Sequence, residues 1–239
     1  MKVSVVIPAY NEEKLLGNTL DCIRAATAPL DEHEWEIVVC DNNSTDRTAE
    51  IARQHGAKVV FEPVNQISRA RNAGAAAATG EWLIFVDADS HPSASLFDSV
   101  LSQIAGGKCI GGGSTVVGDD ATLMMRGPVA VWNAISRVTR WAAGSFIFCE
   151  TRAFREIGGF SEELFAAEEI DFSMRLKRLA RREGRRFVIL HRHPLRTSAR
   201  KAHLYSPREL LGFTLRTLLS GGRNLKDRKN CFAWYDGRR

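Results

Sequence analysis

Through residue 86, short apolar runs alternate with stretches of helical period. Val3-Ser4-Val5-Val6-Ile7 reads as a buried strand ended by Pro8, which cannot donate to a ladder. Asn11 is expected to open a helix, with Glu12 and Glu13 in its first turn and Leu15, Leu16, Leu20 and Ile23 as its apolar stripe. A second strand, Glu36 to Cys40, runs into the turn-rich Asp41-Asn42-Asn43-Ser44-Thr45-Asp46, which caps a helix from Arg47 to His55 that stops at Gly56. Lys58 to Phe61 is a third strand and Gln66 to Ala78 a third helix. Trp82 to Val86, an unbroken apolar run, is a central strand covered on both faces. This alternation predicts an α/β chain with a mostly parallel central sheet flanked by helices and joined by right-handed crossovers.

Beyond Ser93 the pattern is less regular. Helices are expected over Ser93–Ile104, over Ala121–Trp141 with an interruption at Gly127-Pro128, over Thr151–Ile157 and over Glu168–Arg182. Lys108–Gly118 reads as a glycine-rich strand and Ser145–Glu150 as another, with Phe160–Ala167 a loop. Phe187–Leu190 and His193–Ser198 read as two extended segments, and Pro207–Leu219 as an apolar-rich helix. No linker or repeat is visible, so residues 1–239 are expected to form one domain. Within it, residues up to about 92 form a regular strand–helix half, about 93–205 an irregular half, and about 206–239 a C-terminal helix and basic tail.

Composition narrows the class. The net charge of +5 points to anionic ligands, and the basic excess is concentrated after Arg175. Cys22, Cys40, Cys109, Cys149 and Cys231 are odd in number and form no Cys-x-x-Cys pair, which argues against a disulfide framework or a zinc site and for a reducing compartment. No signal peptide and no span of roughly 18–20 apolar residues is visible, so a cytoplasmic protein is expected. The Leu210–Leu219 segment with its basic tail could also lie on the inner face of a membrane. No aromatic–basic platform suggests nucleic acid. Oligomeric state is not legible.

The chemistry concentrates at three strand ends: Tyr10-Asn11-Glu12, Asp41-Asn42-Asn43 and Asp87-Ala88-Asp89. Ligands of open α/β sheets bind outside the carboxyl ends of the strands. Asp87 and Asp89 could hold Mg²⁺ or Mn²⁺ against substrate phosphates, or could simply cap the following turn. The cluster Gly111-Gly112-Gly113 matches neither the dinucleotide fingerprint nor the P-loop.

Six segments in order resemble glycosyltransferase family 2 with its GT-A fold. They are Val5–Glu12, Val38–Asp46, Ala70-Arg71-Asn72-Ala73-Gly74, Phe85–Asp89, Gly158-Gly159-Phe160 and Glu168-Glu169-Ile170-Asp171-Phe172, spanning about residues 3–175. The resemblance implies a metal-dependent, inverting transfer of a sugar from a nucleotide diphosphate, UDP in preference to GDP. The acceptor would be a sugar, a lipid phosphate or a small metabolite. By the same resemblance Pro8, Ala9, Tyr10 and Glu12 line the nucleotide pocket and Asp41 bonds the base edge. Asp87, Ala88 and Asp89 approach ribose, metal and diphosphate, and Arg71 adds positive charge or meets the base. An inverting displacement needs a base for the acceptor hydroxyl. Glu169 stands at that position where the family usually has Asp, with Glu168 its rival; a helical wheel does not separate them. His191 and His193 are further candidate metal ligands, and strand alternation puts them on one face. Trp132 and Trp141 could stack on sugar but suit core packing better. The alternative is a non-catalytic nucleotide-binding or scaffold protein whose site is degenerate.

Overall fold

The computed structural model describes residues 1–118, 123–198, 209, 212, 216–217, 220–231 and 235. Eight strands form one sheet in the order β3-β2-β1-β4-β7-β6-β8-β5. They are β1 (Lys2–Ala9), β2 (Glu34–Asp41), β3 (Lys58–Phe61), β4 (Trp82–Val86), β5 (Ser90–His91), β6 (Cys109–Gly118), β7 (Phe146–Glu150) and β8 (Arg186–Thr197). The first four are parallel, as the alternating pattern predicts. β7 then inserts antiparallel between β4 and β6, β8 runs parallel to β6, and β5 closes the far edge antiparallel to β8.

The α-helices are α1 (Leu16–Thr27), α2 (Thr48–Gln54), α3 (Ile67–Ala77), α4 (Ala94–Ala105), α5 (Leu123–Thr139), α6 (Thr151–Glu156) and α7 (Glu168–Arg182), and two short 3-10 turns, Arg223–Lys226 and Arg228–Asn230, complete the described elements. Period-2 alternation divides the core. Val3, Val5, Ile7, Ile84 and Val86 face Leu20, Ile23 and Phe97 of α1 and α4, whereas Val6, Leu83 and Phe85 face Ala75, Phe154 and Leu176 of α3, α6 and α7. Among the described residues no helix is long and apolar enough to cross a membrane. All five cysteines are free thiols.

Several expected boundaries move. β1 continues through Pro8, paired with Cys40. The Ala9 carbonyl accepts from Asn42 N on the β2 side, so by alternation the Pro8 nitrogen faces β4, whose register with β1 ends at Val6 and Phe85. Its missing N–H therefore costs no ladder bond. Asn11 does not open α1: it sits in the left-handed region at φ 51°, and its side chain accepts from Thr45 N. The helix starts five residues later, after Glu12 has accepted from Leu15 N and Leu16 N. α5 runs through Pro128 without interruption. The two extended segments near residue 190 are one strand with a register irregularity opposite Ser114 and Val116. The Pro207–Leu219 helix lies outside the described residues for the most part.

β6 needs its glycines because neighbouring strands and aromatic rings press onto it. A Cβ on Gly112 would stand 2.2 Å from the Val188 carbonyl oxygen and 2.9 Å from the Phe148 ring. Gly112→Ala must therefore move backbone, and a loss of about 3 kcal/mol or more is expected, at the upper end for overpacking. Thermal denaturation would check it; an unchanged Tm would contradict this packing.

Candidate active site

The carboxyl ends of β1, β2 and β4 bring Tyr10-Asn11-Glu12, Asp41 and Asp87-Ala88-Asp89 to one edge, as expected from the sequence. Pro8 and Ala9 are buried at the end of β1, and Tyr10 is half-exposed. Glu12 is buried and donates its N–H to Thr48 Oγ1 at 2.8 Å, tying the β1 end to the start of α2. The Asp41 carboxylate accepts from Ser44 N at 3.1 Å, which fixes the loop after β2. Thr19 Oγ1 donates to the Ala88 carbonyl at 2.8 Å. Asp89 is half-exposed, and its carbonyl accepts from Ser198 N at 3.1 Å. The end of β8 thus flanks the two acids.

Arg71 holds the centre, and it is only 1% exposed, not on an exposed helix face. Its Nη1 donates to Glu168 Oε1 at 2.6 Å, while Nη2 donates to Asp87 Oδ1 at 3.1 Å and to the Gly144 carbonyl at 2.8 Å. The guanidinium also lies 5.1 Å from the centre of the Phe160 ring. Burial alone would lower its pKa, but the charges of Asp87, Glu168 and Glu169 outweigh that and raise it. Beneath it Phe160 stacks on Phe172 at 4.4 Å and meets Phe85 edge-on at 5.0 Å. These contacts fix the first turns of α7 against β4.

Glu168 and Glu169 separate in role. Glu168 is buried and engaged by Arg71. Glu169 keeps one side open, and its carboxyl carbon would lie 3.6 Å from a Cβ built on Gly144. Protein surrounds the rest of it, so burial first and the Glu168 charge second push its pKa up to about 8. Three carboxylates share one guanidinium here. Their excess negative charge favours either a proton on Glu169 or a cation nearby.

The histidines do not join this centre. His193 Nδ1 lies 3.0 Å from Ser99 Oγ on α4, and His191 lines a groove with Arg137 of α5. Ser198, whose N–H reaches the Asp89 carbonyl, is the residue of the β8 end beside the acids. The candidate metal ligands His191 and His193 instead face the groove beside α5 and Ser99 of α4, and the shared face predicted for them is broken by the β8 irregularity. Arg69 pairs with Glu62 and Glu162 on the surface side of α3. Trp132 and Trp141 are half-buried.

Sequence reasoning assigned no role to Asn72 or Phe160 in shaping the centre. Asn72 exchanges two hydrogen bonds of 2.9 Å with the backbone of Phe160, 88 residues away. It belongs to the Arg71-Asn72 segment, but no local pattern foretells so distant a partner.

Among known proteins, the family model described as glycosyl transferase family 2 matches residues 4–157. The poly(ribitol-phosphate) beta-glucosyltransferase of Bacillus spizizenii is 36% identical over 100 residues, 38% of this chain and 15% of that protein. The chain spans less than half the length of the curated relatives it matches, 43% of a Mycobacterium bovis glycosyltransferase, for example. Residues 1–349 of TarS from S. aureus, in complex with UDP-GlcNAc, share the fold at a TM-score of 0.67 and 22% identity, covering 93% of this chain and 66% of that one. A mannosyltransferase from Pyrobaculum calidifontis, in complex with GDP-mannose and Mn²⁺, does so at 0.66 and 19%, covering 94% and 62%.

Proposed function

The chain belongs to glycosyltransferase family 2, and from that membership we propose an inverting, metal-dependent transfer of a sugar from a nucleotide diphosphate to an acceptor hydroxyl or lipid phosphate. The observation that carries this reading is the carboxylate excess around buried Arg71, at the strand edge where a nucleotide would lie. Pro8, Ala9, Tyr10 and Glu12 form one wall of the nucleotide pocket and Asp41 meets the base. Asp87, Ala88 and Asp89 lie under the ribose and diphosphate. Residues to about 92 are the nucleotide half and about 93–205 the acceptor half.

The donor set fits a hard divalent cation, Mn²⁺ or Mg²⁺. Asp87 and Asp89 offer oxygen ligands one residue apart, and such ions often take one or two carboxylates and complete their shell with phosphates. When bound, the cation supplies positive charge against the developing charge of the leaving diphosphate. The chain's own groups do the rest. Arg71 holds Asp87 in place through Nη2 and Glu168 through Nη1. Glu169 accepts the proton of the acceptor hydroxyl at its carboxylate, in the ionised form. Glu168 is a positioning residue that fixes the first turn of α7 and raises the basicity of Glu169.

UDP is the favoured nucleotide, in line with TarS, although the similarly folded mannosyltransferase holds GDP-mannose. Thermal melting with UDP and GDP, each with and without Mn²⁺, tests the site. Saturation at ~100 times the dissociation constant adds about 2.7 kcal/mol. A shift that requires Mn²⁺, favours UDP and disappears in Asp89→Ala is the expected result. No shift with either nucleotide would instead favour the scaffold alternative.

A further inference from the structure

A second cationic site lies outside this cleft, on the α7 side of the sheet. Arg137 and the residue after α5, Arg140, converge with Arg186 and His191 of β8 on a cavity of about 310 Å³, floored by Phe187 and Ile189. None of these three arginines forms an ion pair among the described residues. Nearby basic groups differ: Arg185 pairs with Glu150 and Glu183, and Arg152 with Glu150, Glu156 and Glu183. Lys177 adds a further cation at the α5 end, donating to the Thr139 carbonyl at 2.6 Å. Burial, then the charges of Arg181 and Arg140, lower its pKa.

Arg140 also occupies the left-handed region at φ 55°, where glycine or asparagine is usual after a helix. An arginine there carries a conformational cost that the surrounding structure outweighs. A second chamber of about 660 Å³ adjoins it, with Arg137 and His191 in the lining of both. That chamber is lined mainly by apolar groups, including Val116, Val129, Ala134 and Pro194. One end of the groove is thus cationic and the other apolar. Lys177 follows Glu169 by eight helical residues, about 12 Å at the α-helical rise, so the cationic end is separate from the base.

We infer that the groove between α5 and β8 binds a phosphate ester, with its phosphate on Arg137, Arg140, Arg186 and His191 and its organic portion in the apolar chamber. Guanidinium groups suit this because their planar donors match phosphate oxygens two at a time. The phosphate could come from a lipid headgroup or from a soluble phosphorylated compound; the recognising chemistry is the same. The site does not depend on the transferase reading, because binding is measured without a sugar donor.

The test titrates inorganic phosphate into the full chain with EDTA present, and follows backbone amides by NMR. Parallel sedimentation uses phosphatidylglycerol-containing vesicles and pure phosphatidylcholine vesicles. The expected result is saturable shifts at Arg137, Arg140 and Arg186–Ile189, at least roughly tenfold weaker in the Arg140→Gln/Arg186→Gln variant. That variant should keep the cooperative melting transition and the dispersed amide spectrum of the native protein, which shows that it folds. Phosphate binding without vesicle binding assigns a soluble source. Arginine-dependent sedimentation with the anionic vesicles alone assigns a headgroup. Shifts confined to Asp87–Asp89, equal affinity in the variant, or no binding to phosphate or vesicles would each overturn the site.

Discussion

Replacing Glu169 with Gln should cut release of UDP from the donor by about 10²- to 10⁴-fold, the usual worth of a positioned base. The isosteric amide keeps the volume but cannot take a proton. Nucleotide binding, read as the Mn²⁺-dependent melting shift, should survive, which separates a chemical role from a folding one. The pH dependence follows from the pKa of about 8. Activity should rise with pH and reach half its maximum at or below about 8, because a cation beside Asp87 would draw the value down. Stability runs the other way. The folded carboxyl binds its proton more tightly than the unfolded one, whose ordinary value is 4.5, so this group's contribution is complete below about 4.5 and is lost as pH rises to about 8. Glu169→Gln should flatten that slope. A variant with full activity, or a profile falling toward alkaline pH, would remove Glu169 from the base role and turn attention to Glu168.

Arg71→Met should cost about 3–5 kcal/mol, the range for breaking a buried pair from one side. Glu168, its side chain 5% exposed, would be left charged without its guanidinium, and Asp87 would lose its partner as well. For a chain of this size such a loss lowers Tm by on the order of 10 °C. Arg71→Lys should recover little, since one ammonium cannot replace two guanidinium nitrogens reaching Glu168, Asp87 and the Gly144 carbonyl. Adding Glu168→Gln to Arg71→Met should restore part of the stability, because one orphaned charge is gone. Thermal and denaturant unfolding of the native protein, Arg71→Met, Glu168→Gln and their combination form a double-mutant cycle. Additive losses would mean that the two side chains are not energetically coupled.

The first half of the chain was legible because its information is local. Val3–Ile7, Glu36–Cys40, Lys58–Phe61 and Trp82–Val86 each announce a covered strand, and each lies within the observed one. The acids at their ends needed only the parallel order to converge. What was hidden depends on partners far along the chain. Arg71 reads as a cation free to meet a ligand, whereas Glu168, 97 residues away, engages it. The antiparallel entry of β7 between β4 and β6 leaves no mark on Phe146–Glu150, which is apolar in any central position. His191 and His193 misled because alternation assumes an even ladder, and the β6–β8 register slips between Ser114 and Val116. Asn11 and Ala167 take left-handed backbones that neither residue type requires.

β5 is two residues long, yet it ties the segment after β4 to the end of β8, with Ser90 Oγ bonded to Thr197 Oγ1 across 107 residues. Closing a loop of that length costs about 4 kcal/mol of chain entropy. During synthesis the acids at 87 and 89 leave the ribosome long before their clasp exists. The first half of the chain can assemble its parallel strands early, but the Ser198 amide that holds Asp89 arrives only after β6, β7 and β8 have been made. The nascent chain therefore acquires its fold from the front and its working edge from the back.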